Sequence, residues 1–388
     1  MVTRRITPFV IIISLALAVF GCGSGGDATG TGDGTEVASP PVNRSFYMAM
    51  TPLQHDVTVE AFAEAFEIVD EHCDMIAHHF DKGIPWPEAR DGLPYHDNVE
   101  NELRFRVART KERQEVYLAI APLAINREEL AGYWGEGAGM ERPGEWASKT
   151  FDDPEVIAAY LDFCRDMIGR FQPDYFNYGV ETNMKWQGAD DPRLEKFLVF
   201  AREVYTTLKN EYPDLPIFIS LAKVERHDDD EQVRINQRLL AYSDLVAVST
   251  YPFLPPSSDG DEANPGDLPQ DLFSSMAGLD AGKLFAVAET GYIAEDLVLP
   301  ELGLDIRGSE PWQADYVRFL LDEGERLDGE FVVWFVPRDY DRRSDYLKGI
   351  PGFPALIHVW RDCGLIDDEG NARESLEIWD MWLELPGR

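Results

Sequence analysis

Positive charge is what this sequence lacks. Only 35 Lys and Arg residues stand against 71 Asp and Glu, a formal charge of −36 at neutral pH. So acidic a surface repels phosphate backbones and anionic headgroups, which excludes nucleic acid as a partner. Cysteine is also scarce, with four in 388 residues. Cys22 stands apart near the N-terminus. Cys73, Cys164 and Cys363 are spaced too widely for a disulfide framework and are expected to be buried thiols, with one bridge at most. No Cys/His spacing matches a zinc site. No glycine-rich turn follows the first strand-like run, where an open nucleotide-binding sheet would need one. Neither a metal nor an organic cofactor is expected.

Apolar runs long enough for a stable spanning helix are missing too. The run from Phe9 to Phe20 follows Arg4 and Arg5 and ends Val19-Phe20-Gly21-Cys22. Its flanks and length are those of a secretory signal. Small Gly21 before the cysteine resembles a bacterial lipobox, in which cleavage leaves a lipidated Cys22. The expected organisation is a signal peptide over 1–21 and a flexible Gly/Thr/Ser/Asp-rich tether over 22–43. A single folded unit would follow over 44–388. The mature protein is expected to be exported and held at a membrane by its lipid, facing the periplasm or on the cell surface. The sequence carries no signal for oligomeric state.

The folded part alternates. Eight short apolar runs recur: FYMAM (46–50), DMIAH (74–78), EVYLAIA (115–121), DYFNYGV (174–180), PIFISLA (216–222), DLVAVST (244–250), KLFAVAE (283–289) and EFVVWFV (330–336). Amphipathic helical stretches lie between them, and Asp153-Pro154 and Asp191-Pro192 read as an acidic N-cap followed by proline at the first helical position. Continuously apolar strands between helices imply a parallel sheet covered on both faces. Eight such units imply an α/β fold of the single (β/α)₈ TIM-barrel type, with a doubly wound open sheet as the alternative.

In such a barrel the working residues stand at the C-terminal strand ends. Run four ends at Glu181 and run seven at Glu289. Strand alternation with Glu181 inward would place Asn177 and Gly179 inward, with Tyr178 and Val180 outward. With Glu289 inward, Phe285 and Val287 would also face in, and Ala286 and Ala288 out. Two carboxyls across one mouth suit glycoside hydrolysis, in which one is held protonated to donate to the leaving oxygen and the other stays ionised to attack. Tyr251, ending run six, is placed to hold the ionised partner, and Trp334 to stack on a sugar ring. Further candidates for substrate contact are Asn183, Trp186, Tyr292, and His78 with Asp81 and Trp86 of the loop that follows it. The long segment 122–152 carries Tyr133, Trp134 and Trp146, and long aromatic loops commonly line a site. Adjacent His78 and His79 also raise a metal-dependent barrel hydrolase as a weaker alternative. Neighbours on a strand face opposite sides, so both cannot enter the mouth together.

Glutamates ending strands four and seven resemble those of the large clan of retaining (β/α)₈ glycosidases. Within it the chain looks most like the endo-β-1,4-galactanases of glycoside hydrolase family fifty-three. The similar pieces are GVETN (179–183), DLVAVSTYPF (244–253), VAETGY (287–292), WQADYVRFLL (312–321) and the closing GLIDDEGNARESLEIWDMW (364–382). The resemblance implies Glu181 as acid/base, Glu289 as nucleophile, Tyr251 as the nucleophile's hydrogen-bond partner and Trp334 as a subsite floor. It implies a neutral β-linked, galactan-like substrate and no cofactor. The clan carries Asn directly before its acid/base, and here that place holds Val180. A barrel that binds glycans at the surface without turning them over is the alternative this departure suggests.

Overall fold

A computed structural model describes residues 43–223, 229–254, 262–350 and 353–387. The signal peptide assigned to 1–21 and the tether assigned to 22–43, Cys22 included, lie outside the described residues but for residue 43. All eight apolar runs form strands: β1 (Tyr47–Met50), β2 (Met75–Phe80), β3 (Glu115–Ile120), β4 (Tyr175–Gly179), β5 (Ile217–Ala222), β6 (Leu245–Thr250), β7 (Leu284–Thr290) and β10 (Phe331–Trp334). They pair in parallel, each with its neighbour in sequence, and β10 closes on β1. The strands β8 (Leu297–Leu299) and β9 (Leu304–Ile306) form a separate antiparallel hairpin between the last two barrel strands.

The helices follow their predicted starts. Asp153 caps the helix Pro154–Phe171 by accepting from the Glu155 amide, and Asp191 caps the helix Pro192–Glu211 by accepting from the Arg193 amide. No helix among the described residues is long and apolar enough to cross a membrane.

Two apolar layers hold the barrel. One lies between strands and helices. The other fills the lumen, where Tyr117, Tyr175, Phe218 and Phe331 meet alanines 49, 77, 119, 247 and 286. Tyr117 lies 5.9 Å from Phe218 and 4.9 Å from Phe331, centroid to centroid. The lumen is thus a plug of aromatic rings, and chemistry is confined to its mouth.

Strand alternation gives the wrong facing near both glutamates. Ala286 and Ala288 belong to the lumen layer, while Phe285 and Val287 pack outward against helices. The cause is a bulge: Val248 pairs with Val287, but the next residue, Ser249, pairs with Glu289. One extra residue turns Glu289 back to the inside. On β4 the register slips between Asn177 and Gly179, and Val180 joins the lumen layer instead of the helix layer. Glu181 then lies past the strand, in the left-handed region at φ 51°.

Candidate active site

Residues on or just past five strands, β2, β4, β5, β6 and β7, meet at the two glutamates. On Glu289, the Tyr251 hydroxyl donates to Oε1 at 2.5 Å, and Nδ1 of His79 lies 2.9 Å from Oε2. Tyr251 is held against Phe253, Phe335 and Trp360. Glycine is required at 291, because a Cβ there would overlap the Phe335 carbonyl oxygen and press on the Tyr251 ring.

Glu181 is positioned differently. Its amide donates to Ser220 Oγ at 3.0 Å. Two residues on, the Asn183 side chain continues the β4–β5 ladder by accepting from the Ala222 amide at 2.8 Å and donating to the Ala222 carbonyl at 2.9 Å. One side-chain amide thereby does the work of a backbone unit and locks the turn that carries Glu181. Across the mouth, Arg127 reaches in from the loop after β3, with Nη2 3.1 Å and Nε 3.3 Å from Glu181 Oε2. The same guanidinium pairs through Nη1 with Asp81 Oδ2 at 2.7 Å. The other oxygen, Oε1 of Glu181, is buried with no hydrogen-bond partner among the described residues, as is Nε2 of His79.

The two carboxyls are electrically distinct. Burial pushes both upward. For Glu289, the hydrogen bond and charge of His79, the Tyr251 hydrogen bond and the Arg127 charge outweigh burial and hold it below the ordinary carboxylate range. For Glu181, burial together with the Glu289 charge outweighs Arg127, and its pKa is pushed up to about 7. Burial alone would lower the His79 pKa, but its bond to Glu289 raises it.

Several residues expected here are elsewhere. His78 turns away from the mouth, packs on Phe66 and Phe171, and shares a hydrogen bond with Thr110; its neighbour His79 is the one that reaches the site. Trp334 faces outward, near Tyr316 and Trp379, and donates to the Cys363 carbonyl. Phe331 and Val333 take the inward places on that strand. Trp86 donates to the Ala131 carbonyl and stacks on Trp146, and Trp186 donates to the Thr182 carbonyl. Both anchor loops. Tyr292 stacks on Tyr316 at 4.4 Å. Both polar atoms of the Asn183 side chain are engaged, with Ala222 of β5 and with Asn236. The 122–152 loop turns its tryptophans inward as its own core and contributes an arginine instead.

That arginine had no signature in the sequence. Arg127 stands beside Glu128 and Glu129 in a loop, where a solvated cation is the default reading. As for metals, Asp339, Asp341 and Asp362 offer oxygens within 4.8 Å of one another. Asp339 already pairs with Arg373 and Asp362 with Arg361, so guanidinium groups fill the cation's role. Cys73, Cys164 and Cys363 are free and buried.

No protein-family model matches the sequence, and no curated protein matches it by sequence. Solved structures match in shape. A fungal β-1,4-galactanase superposes with a TM-score of 0.54 at 14% identity, over 86% of this chain and 99% of that one. The family 53 catalytic domain of Ignisphaera aggregans does so at 0.54 and 16%, over 90% and 98%. A family 5 protein of Streptomyces cattleya, solved with GlcNAc, gives 0.58 and 14%, over 88% and 80%. At these identities the likeness is one of fold: the chain has the (β/α)₈ barrel that these family 53 and family 5 glycoside hydrolases share.

Proposed function

We propose that this protein is a retaining glycoside hydrolase acting on a neutral, β-linked, galactan-like poly- or oligosaccharide. The observation that carries the reading is the opposite treatment of two carboxyls at one barrel mouth. Glu289 is kept ionised by Tyr251 and His79, while Glu181 is pushed up to about 7. That division of labour is what a two-glutamate mechanism needs. Glu289 attacks the anomeric carbon as Glu181 protonates the departing oxygen. Glu181, now ionised, then takes a proton from water, which releases the sugar from Glu289. The shared barrel of a galactanase and of a family 5 protein holding GlcNAc supports a carbohydrate substrate.

The test is hydrolysis of galactan and of aryl β-galactosides and β-glucosides by wild type and Glu289→Gln. Loss of about 10⁴-fold or more in kcat is expected for the variant. A rate unchanged by the substitution rejects the assignment. A second reading, a glycan-binding barrel without turnover, is favoured by Val180 in the place where related enzymes carry an amide. Wild-type binding without hydrolysis would establish it. We also propose that lipidated Cys22 tethers the exported protein, so Cys22→Ala should move it from the membrane fraction to the soluble one.

A further inference from the structure

Arg127 and Glu181 are an unusual pair. Among the described residues only four non-glycine residues have positive φ, and these two, which touch each other, are half of them. Two left-handed residues from different loops are held in contact with less than 2% of either exposed. Strain of this kind persists where the surroundings impose it, and it gathers at working sites. The contact is also one-sided. Nε and Nη2 of Arg127 both address Oε2 of Glu181, while the buried Oε1 has no hydrogen-bond partner among the described residues. A guanidinium has only donors, so an oxygen receiving two of its N–H groups is the disfavoured place for a proton. Asp81 holds the far side of the same guanidinium and shares its charge.

We propose that Arg127 and Asp81 form a positioning pair that confines the Glu181 proton to Oε1 and sets the pH at which it is released. This rests on the acid/base reading of Glu181. Other charged or titratable groups acting on Glu181 are His79 from β2, Glu289 from β7, Tyr251 from β6 and Tyr117 from β3. The hydrogen bonds to its carboxylate come from Arg127. Without Asp81 the full arginine charge acts on Glu181 and favours its ionised form. Without Arg127 the favouring charge is gone and the acid holds its proton more tightly. The two substitutions therefore act in opposite directions. The acid must be protonated to work, so activity is lost as pH rises through its pKa, and the basic limb of the rate profile follows the same shifts.

The experiment is a titration of ¹³Cδ-glutamate-labelled protein by NMR, with Glu181 assigned by its absence in Glu181→Gln, and kcat/KM profiles alongside. Arg127→Met should raise the Glu181 midpoint by about one pH unit or more, and Asp81→Asn should lower it by a similar amount. Arg127→Lys, which keeps the charge, should stay nearer wild type and carries the test with Asp81→Asn if Arg127→Met does not fold. Shifts of one sign for both Arg127→Met and Asp81→Asn, or no shift with only lowered stability, would overturn the proposal. The titration needs no turnover. If wild type hydrolyses no glycoside, the enzymatic reading falls while the positioning pair is still judged.

Discussion

Glu289 keeps its charge in a place where burial opposes it, and the hydroxyl of Tyr251 is one reason. Tyr251 gives Oε1 a 2.5 Å hydrogen bond that a phenylalanine ring cannot supply. In Tyr251→Phe the ionised form loses that partner, so the Glu289 pKa rises. In the proposed mechanism Glu289 attacks in its ionised form, so activity would be lost as pH falls through its pKa, and the acid limb of the profile should move to higher pH. kcat should drop by about 10- to 100-fold at neutral pH, an expectation in the range of a lost charge-assisted hydrogen bond. A profile whose acid limb stays in place would show that His79 and Arg127 hold the charge without Tyr251. Tyr251 and both glutamates were readable in the sequence because they end apolar strand runs, where a polar residue is conspicuous. Arg127 and His79 were not readable in the same way. Arg127 acts from a loop whose path is fixed by Trp86, Trp146 and the Ala131 carbonyl, contacts made across 45 residues or more. The choice between His78 and His79 depends on which one the twist of β2 points inward.

The strands were legible because a parallel barrel buries both faces, so each must be apolar without alternation. The pairing register was not. Glu289 enters the mouth only through the slip between Val248 and Ser249, and Glu181 stands past another on β4. A bulge depends on the neighbouring strand as much as on its own residues, so simple alternation turns Val180, Phe285 and Val287 the wrong way. The outward turn of Trp334 has another cause: its strand keeps an unbroken register with β1, so plain alternation with the inward Phe331 and Val333 turns Trp334 outward. The close approach of these strands above the slips is specific to glycine at 291. Gly291→Ala should force β7 from the Phe335 carbonyl and cost about 1–3 kcal/mol of stability in urea titration, as overpacking does. It should lower kcat as well, because the displaced atoms include the Tyr251 ring. Wild-type stability with wild-type turnover would show that the strands part without cost.

Over the whole molecule, a buried carboxyl that keeps its proton carries a stability penalty. The folded Glu181 holds its proton up to about pH 7, against an ordinary 4.5. Between those values the native state binds more protons than the unfolded one, so stability falls as pH rises. Glu181→Gln removes that dependence. From pH 4.5 to pH 8 the variant should gain about 3 kcal/mol on wild type in chemical unfolding, and an unchanged gap would mean that Glu181 ionises freely in the fold. The surface charge acts at longer range. A formal charge of −36 gives the molecule a negative field, and the proposed substrate is neutral. Neutral galactan crosses that field without cost, whereas a polymer of uronic acids meets repulsion at every approach. Salt shortens the reach of the field from about 30 Å at 0.01 M to about 8 Å at 0.15 M. Inhibition of aryl-galactoside hydrolysis by polygalacturonate should therefore be weakest at low ionic strength and strengthen as salt is added, while inhibition by neutral galactan oligosaccharides stays level. If polygalacturonate inhibits more strongly at low salt, a cationic surface near the mouth must outweigh the acidic whole, and the substrate class would have to be sought among anionic glycans.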